Sequence, residues 1–138
     1  MEAILTDRPK SSASAIKLDQ SHWPLLIVIT PPKVDDEELE HFLEQYSATI
    51  KSRGERYALV LDVSNTEKLN PVQRKKLVNM MERNKAFNEK HCAGCAMVFS
   101  SMLLKGILTA IFWIHKPPHP TKVFNVQEDA IEWAFDMI

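Results

Sequence analysis

Glycine, cysteine and net charge are all scarce in this sequence, and each shortage excludes a class of protein. Three glycines leave little material for a phosphate-cradling loop, and two cysteines are too few for a disulfide-stabilised secreted domain. Lys and Arg number 17 against 18 Asp and Glu, which excludes the basic excess typical of nucleic-acid-binding proteins. The remaining composition, 45% hydrophobic and 25% charged over 138 residues, is typical of one globular domain.

Long apolar segments are also missing, both at the start of the chain and inside it. Residues 1–14 are polar and serine-rich, so they predict a flexible leader and not a signal peptide. The most apolar stretch, Met102 to Ile114, is broken by Lys105 and would span roughly 20 Å as a helix, against ~30 Å of hydrocarbon. We therefore expect no membrane span and a cytoplasmic location.

Hydrophobic patterning predicts a single α/β domain over residues 15–138, in the order β-β-α-β-α-β-α-β-α. The run LLIVI at Leu25–Ile29 is typical of a buried strand, and a weak strand within Ala15–Asp19 should pair with it antiparallel. Later strands are expected at residues 57–63, 94–99 and 122–125, where right-handed crossovers make them parallel. The predicted architecture is a mixed, mostly parallel sheet of about five strands with four helices.

Capping signals predict where the helices begin and end. The first helix should be capped by Asp35 with Glu38 and end at Gly54, and Asn70 before Pro71 should start the second, which runs to about Glu89. Ser100 or Ser101 should cap the third helix, and Asn125 with Glu128 the fourth. The second helix is expected to turn these apolar residues to the core: Val72, Leu77, Met80, Met81 and Phe87.

The segment LVLDVSNTEKLNP, a strand ending Asp62-Val63-Ser64 followed by a six-residue loop and a helix start, resembles the STAS domains. These form the SpoIIAA-like superfamily of the bacterial anti-sigma-factor antagonists, and they are related to the lipid-binding CRAL-TRIO proteins. The blocks QRKKL and LKGILTAIFW look like uncharacterised bacterial members of this group. The resemblance, over roughly residues 15–138, implies a STAS-like fold and a regulatory protein-interaction module. Its alternative implication is a small binding protein for an apolar or anionic, lipid-like ligand.

One position departs from the phosphorylated STAS domains. Their switch serine would fall at Pro71, which has no hydroxyl, and the preceding aspartate at Asn70. The phosphorylation switch is therefore not carried over. If phosphorylation occurs, Ser64 or Thr66 in the same loop are the expected acceptors, while Asp62 is expected mainly to cap the turn.

The start of the second helix carries basic residues, which oppose the helix dipole there. Arg74, Lys75 and Lys76 predict either a solvated face or a docking surface for an anionic partner. Ser64, Asn70, Arg74 and Lys75 are accordingly the candidate partner- or ligand-binding residues of this region.

The third helix is apolar around most of its circumference. Its excess apolar surface can be covered by the chain itself, by a second copy or by a lipid-like ligand. Ile111, Phe112 and Trp113 are consecutive, so they cannot all point towards the sheet, and at least one must face outwards. We expect a homodimer that uses this helix, with Trp113 as its anchor.

No motif in the sequence combines a nucleophile, a base and an oxyanion donor. The Cys92-Ala-Gly-Cys95 motif is expected at a helix C-terminus, where the dipole raises thiol pKa values, so Cys95 should be a core residue and both thiols dispensable. His115 and His119 flank a proline-rich loop and are expected to be solvated. We therefore expect no enzyme activity, no catalytic residue, no cofactor, no metal and no nucleic-acid partner.

Overall fold

A computed structural model describes residues 15–138, and the leader expected at residues 1–14 lies outside this range. The described part contains strands β1 to β5 and helices α1 to α4 in the predicted order. The strands are β1 (Lys17–Asp19), β2 (Leu25–Ile29), β3 (Tyr57–Asp62), β4 (Cys92–Val98) and β5 (Thr121–Phe124). The helices are α1 (Asp36–Arg53), α2 (Pro71–His91), α3 (Met102–Ile114) and α4 (Gln127–Met137).

The sheet confirms the predicted strand directions. Its strands lie in the order β1-β2-β3-β4-β5, with β1 antiparallel to β2 and every later pair parallel. A strand–helix–strand connection keeps neighbouring strands parallel because each helix returns the chain to the end of the sheet at which the previous strand began. The α/β fold class, a mixed five-stranded sheet with four helices in residues 15–138, is confirmed.

The two faces of the sheet bury different sets of side chains. Tyr57 and the alternating Leu59 and Leu61 of β3 pack against the cores formed with α1, α2 and α3. Ala58 and Val60 face the other way, towards α4. On that side a Cβ on Gly94 would lie 3.1 Å from the Trp133 ring, so glycine allows α4 to approach β4 closely.

The caps of the first three helices follow the prediction. Asp35 accepts from the backbone N–H groups of Glu37 and Glu38, and Gly54 ends α1 with a left-handed φ of 59°. Asn70 and Gln73 form a reciprocal capping box at the start of α2, with Pro71 in the first turn. Ser101 caps α3 by accepting from the Leu104 N–H.

The fourth cap and one core position were predicted wrongly. Val126, not Asn125, is the N-cap of α4, because the backbone is still extended at Val126 and the helix begins only at Gln127. Valine has no side-chain acceptor, so this helix start has no side-chain cap bond. Val72 is 53% exposed because Gln73 turns inwards to close the capping box and donates to the Val34 carbonyl. The buried residues of α2 are therefore partly polar: Gln73, Met80, Asn84 and Asn88.

Candidate functional site

Asp62 lies at the carboxyl end of β3 and ties the strand-end loop to α4. Its Oδ1 accepts from the Ser64 backbone N–H at 3.0 Å and from the Ser64 hydroxyl at 2.6 Å. Its Oδ2 accepts from Gln127 Nε2 at 2.8 Å. This arrangement confirms that Asp62 caps the turn, and it leaves both carboxylate oxygens bonded within the chain.

The two expected phosphate acceptors have different surroundings. Thr66 is only 2% exposed, and its hydroxyl donates to the Pro31 carbonyl at 2.6 Å. Ser64 is half-buried, beside the Asp62 carboxylate that its hydroxyl bonds. Of the two, only Ser64 offers its side chain to solvent in the folded protein.

Asn70, Arg74 and Lys75 lie together at the start of α2, but their side chains do different things. Asn70 Oδ1 accepts from the Gln73 N–H at 2.8 Å, so Asn70 is a structural cap. Arg74 Nε donates to the Leu69 carbonyl at 3.0 Å, and Lys75 is exposed. The neighbouring Lys76 pairs with Glu40 across the α1–α2 contact, which lowers the pKa of that carboxyl.

Removing the Asn70 side chain should destabilise the start of α2, where this side chain caps the helix and also donates to Asp36 Oδ1 at 3.0 Å. We expect Asn70→Ala to lower the free energy of unfolding by about 1 kcal/mol, because the Gln73 N–H loses its acceptor. Urea unfolding followed by circular dichroism measures this loss. The matched control is Asn79→Ala at an exposed position of the same helix, and an equal effect of the two substitutions would contradict the capping role.

The motif lies where a helix runs into a strand, as expected: Cys92 is the C-cap of α2 and the first residue of β4, and Cys95 lies within β4. The strand begins at Cys92 directly after α2, and a register shift between Tyr57 and Ala58 places Cys92 opposite Tyr57 and Cys95 opposite Leu59. Both are free thiols, buried in the apolar cores on the sheet face that α1, α2 and α3 cover. Burial raises the pKa of Cys92 to about 11 and that of Cys95 further, so both thiols are protonated at neutral pH.

This burial predicts a loss of stability in alkali. The folded-state pKa of Cys92 lies above its ordinary value of 9.0, so its contribution is complete below pH 9.0 and is lost as the pH rises through about 11. Burial raises the pKa values of Tyr46 and Tyr57 as well, and their effects add in the same direction. We expect the free energy of unfolding to fall by a few kcal/mol between about pH 9 and pH 11.

Urea unfolding at a series of pH values measures the alkaline effect. A Cys92→Ala variant should lose the part of the pH dependence that the thiol contributes. A free energy of unfolding that stays constant up to about pH 11 would contradict the prediction.

The two histidines of the proline-rich loop are half-buried, not solvated as expected. His115 Nδ1 lies 3.2 Å from Glu82 Oε2, and burial lowers the pKa of His119. They border a cavity of about 100 Å³ between α2, α3 and the sheet, with Leu77, Met81 and Phe112 among its apolar walls. Ligand pockets measure roughly 300–1,000 Å³, so this cavity is too small for a lipid-like ligand.

Helix α3 rests on the sheet through one stripe and leaves the opposite side uncovered by residues 15–138. Leu104, Leu108 and Ile111 are buried against β4. The opposite side, here called the α3 outer face, consists of Met102, Gly106, Thr109, Ala110 and Trp113, all exposed. Trp113 is 87% and Met102 79% exposed, although both are large and apolar.

The three candidate residues predicted in α3 differ in their exposure. Ile111 is buried in the core and Phe112 packs partly against it, so neither offers an exposed binding surface. Trp113 is the outward-facing member, as the 100° step between neighbouring helix residues requires. Met102, Gly106 and Thr109 were not among the candidates, although their helical spacing places them on the same face of α3 as Trp113.

Open grooves of about 530 Å³ run along both sides of the α3 outer face. The groove between α2 and α3 is lined by Val78, Leu103 and Ile107, with Arg74 also on its wall. Arg74 is therefore the one candidate from the second helix that the fold brings to α3. Ser64, Asn70 and Lys75 line neither groove.

One comparison with a solved structure supports the fold, and none of the comparisons assigns an activity. A family described as a domain of unknown function (DUF7793) matches residues 45–137. An uncharacterised DUF3478-family protein from Shewanella loihica PV-4, with a SpoIIAA-like fold, is similar at 16% identity and a TM-score of 0.65, covering 87% of this chain and 92% of that one. No curated protein matches the chain. The likeness confirms the SpoIIAA-like fold. Separately, no helix in residues 15–138 is long and apolar enough to cross a membrane.

Proposed function

The chain belongs to the DUF7793 family, described as a domain of unknown function, and we propose that it is a non-enzymatic regulatory module that works by docking to another protein chain. The α3 outer face is the observation that carries this proposal. Single exposed apolar side chains are ordinary, but a contiguous apolar patch on one helix marks an interaction site. Met102 and Trp113 supply large side chains at either end of such a patch.

The partner that fits this face is an apolar protein surface. Lys105 is the only charged residue of α3, and it lies to one side, in the groove that Thr109 and Trp113 also line. A surface that buries Trp113 must desolvate a large aromatic ring, which is the usual anchor of protein interfaces. An anionic partner, which the basic residues at the start of α2 first indicated, has less support because Lys76 already pairs with Glu40.

A non-enzymatic role agrees with the state of the polar groups at the strand ends. The Ser64 hydroxyl donates to Asp62, and Asp62 also accepts from Gln127, so the loop's hydroxyl and carboxylate hold the fold together. The Asn70 amide is likewise occupied, because its Oδ1 accepts from the Gln73 N–H and its Nδ2 donates to Asp36 Oδ1.

Site-specific photo-crosslinking tests the docking role. A photoreactive phenylalanine analogue replaces Trp113 in one protein and Val72 in the control, and each is illuminated in native extract. Val72 is also apolar and exposed but lines neither groove. We expect protein adducts from position 113, with this chain or another, and background labelling from position 72. Equal labelling at the two positions, or transfer to lipid alone, would contradict the proposal.

A further inference from the structure

We propose that the partner at the α3 outer face is a second copy of this chain, with the two α3 helices packed antiparallel. This inference rests on the proposed function and names its partner. Two-fold dimers bring the same patch of each subunit together, so the patch must be complementary to itself. The order of side chains along α3 meets that requirement.

Large residues stand at the ends of the face and small residues at its centre. In an antiparallel pair whose two-fold axis passes between residues 107 and 108, Met102 of one helix lies opposite Trp113 of the other. The same register places Gly106 opposite Thr109. Large side chains therefore meet large ones at both ends, while small ones meet at the crossing point.

The centre of the face allows two helix backbones to approach closely. Within residues 15–138, a Cβ added at Gly106 would meet no atom within 4 Å, so the described part of the fold does not require glycine there. Glycine costs an exposed helix about 1 kcal/mol relative to alanine. Close packing of a second helix against Gly106 gives this residue a role that the single chain does not.

A stable dimer interface must include more surface than α3 alone provides. A standard interface buries about 800 Å² on each partner, more than one face of a 13-residue helix provides. The groove between α2 and α3 continues the apolar surface through Val78, Leu103 and Ile107.

Gly106→Leu distinguishes two modes of association: close packing of the two helix backbones, and non-specific association of exposed apolar surfaces. The substitution adds apolar area, so non-specific association would become tighter. In a closely packed pair, the leucine side chain would hold the two α3 helices apart and weaken the dimer. We expect the dimer dissociation constant, measured by sedimentation equilibrium, to rise at least tenfold. The thermal midpoint of the Gly106→Leu monomer should be no lower than that of the wild-type monomer, because leucine favours the helix. Unchanged or tighter association would overturn the proposal.

Single cysteines test the orientation of the two helices. Thr109→Cys lies near the two-fold axis and should couple to its own copy through a short bis-maleimide, whereas Met102→Cys should not. In the antiparallel register two copies of residue 102 are offset by about 17 Å along the helix. Equal coupling at both positions would indicate a parallel pair. The native thiols are buried and should stay unlabelled in the folded protein.

The outcomes of these experiments distinguish the two proposals. A wild-type chain that sediments as a monomer at about 100 µM, far above the dissociation constants of specific dimers, would overturn the second-copy inference. If position 113 then still crosslinks to another protein, the docking function stands. A full chain that stays monomeric while one lacking residues 1–14 dimerises would also overturn the inference, since the chain's own segment would occupy the face.

Discussion

Trp113→Lys is expected to convert a wild-type dimer into a monomer. The side chain is 87% exposed in the single chain, so its replacement leaves the core untouched. In the proposed dimer each subunit contributes one Trp113, so the residue occurs at both ends of the two-fold interface. An interface hot spot contributes at least about 2 kcal/mol, and a buried lysine adds an unpaired charge. We expect the dissociation constant to rise by at least about 100-fold.

Sedimentation velocity over a concentration series measures this change. Val72→Lys is the matched control, because it introduces the same charge at an exposed apolar residue outside both grooves. It should sediment as the wild type does. Circular dichroism spectra of both variants should match the wild type. Equal dissociation by the two variants would mean that added charge, and not loss of Trp113, separates the subunits.

Leu104→Ala is expected to cause the largest loss of folding stability among the α3 variants. Leu104 is 1% exposed and belongs to the buried cluster that also contains Met97, Phe99 and Leu108, so the substitution creates a cavity where α3 rests on the sheet. Such changes cost about 2–5 kcal/mol of unfolding free energy. The neighbouring Leu103 is 56% exposed, and Leu103→Ala should cost the monomer less than about 0.5 kcal/mol.

Chemical unfolding of the two variants in a Trp113→Lys background keeps the protein monomeric and removes the contribution of association. Measured without that background, Leu103→Ala should weaken the dimer because Leu103 lines the groove beside the outer face. Similar unfolding free energies for the two alanine variants would mean that α3 is not held on the sheet through the buried stripe.

The order of elements was predictable because each boundary carries a local signal. Asn70 and Pro71 supply a cap and a preset φ angle, and the LLIVI run at Leu25–Ile29 can only be a buried segment. Gly54 adopts the left-handed conformation that ends α1. These interactions lie within a few residues of one another, so the sequence contains them directly.

Other features depended on contacts between distant parts of the chain. The half-burial of His115 and its contact with Glu82 require α2 and the end of α3 to lie together. The start of β4 at Cys92 depends on pairing with Tyr57, which local propensity does not reveal. The inward turn of Gln73 is decided by its cap bond to Asn70 and its bond to Val34.

The outward face of α3 was partly predictable. Consecutive residues on a helix diverge, so the segment Ile111 to Trp113 required at least one exposed member, and Trp113 is that residue. Gly106 could not be interpreted from the sequence, since an isolated helical glycine has no distinctive pattern. Its significance follows from the open space around it and from its place between Met102 and Trp113.

The covering of the α3 outer face by a second copy is tested most directly by hydroxyl-radical footprinting at two protein concentrations. Met102 and Trp113 are exposed in the single chain, whereas the half-exposed Phe135 lies on α4, across the sheet. We predict that oxidation of Met102 and Trp113 slows several-fold from the dilute monomer to the concentrated dimer, while oxidation of Phe135 stays constant. Equal oxidation rates of Trp113 at both concentrations would contradict the account.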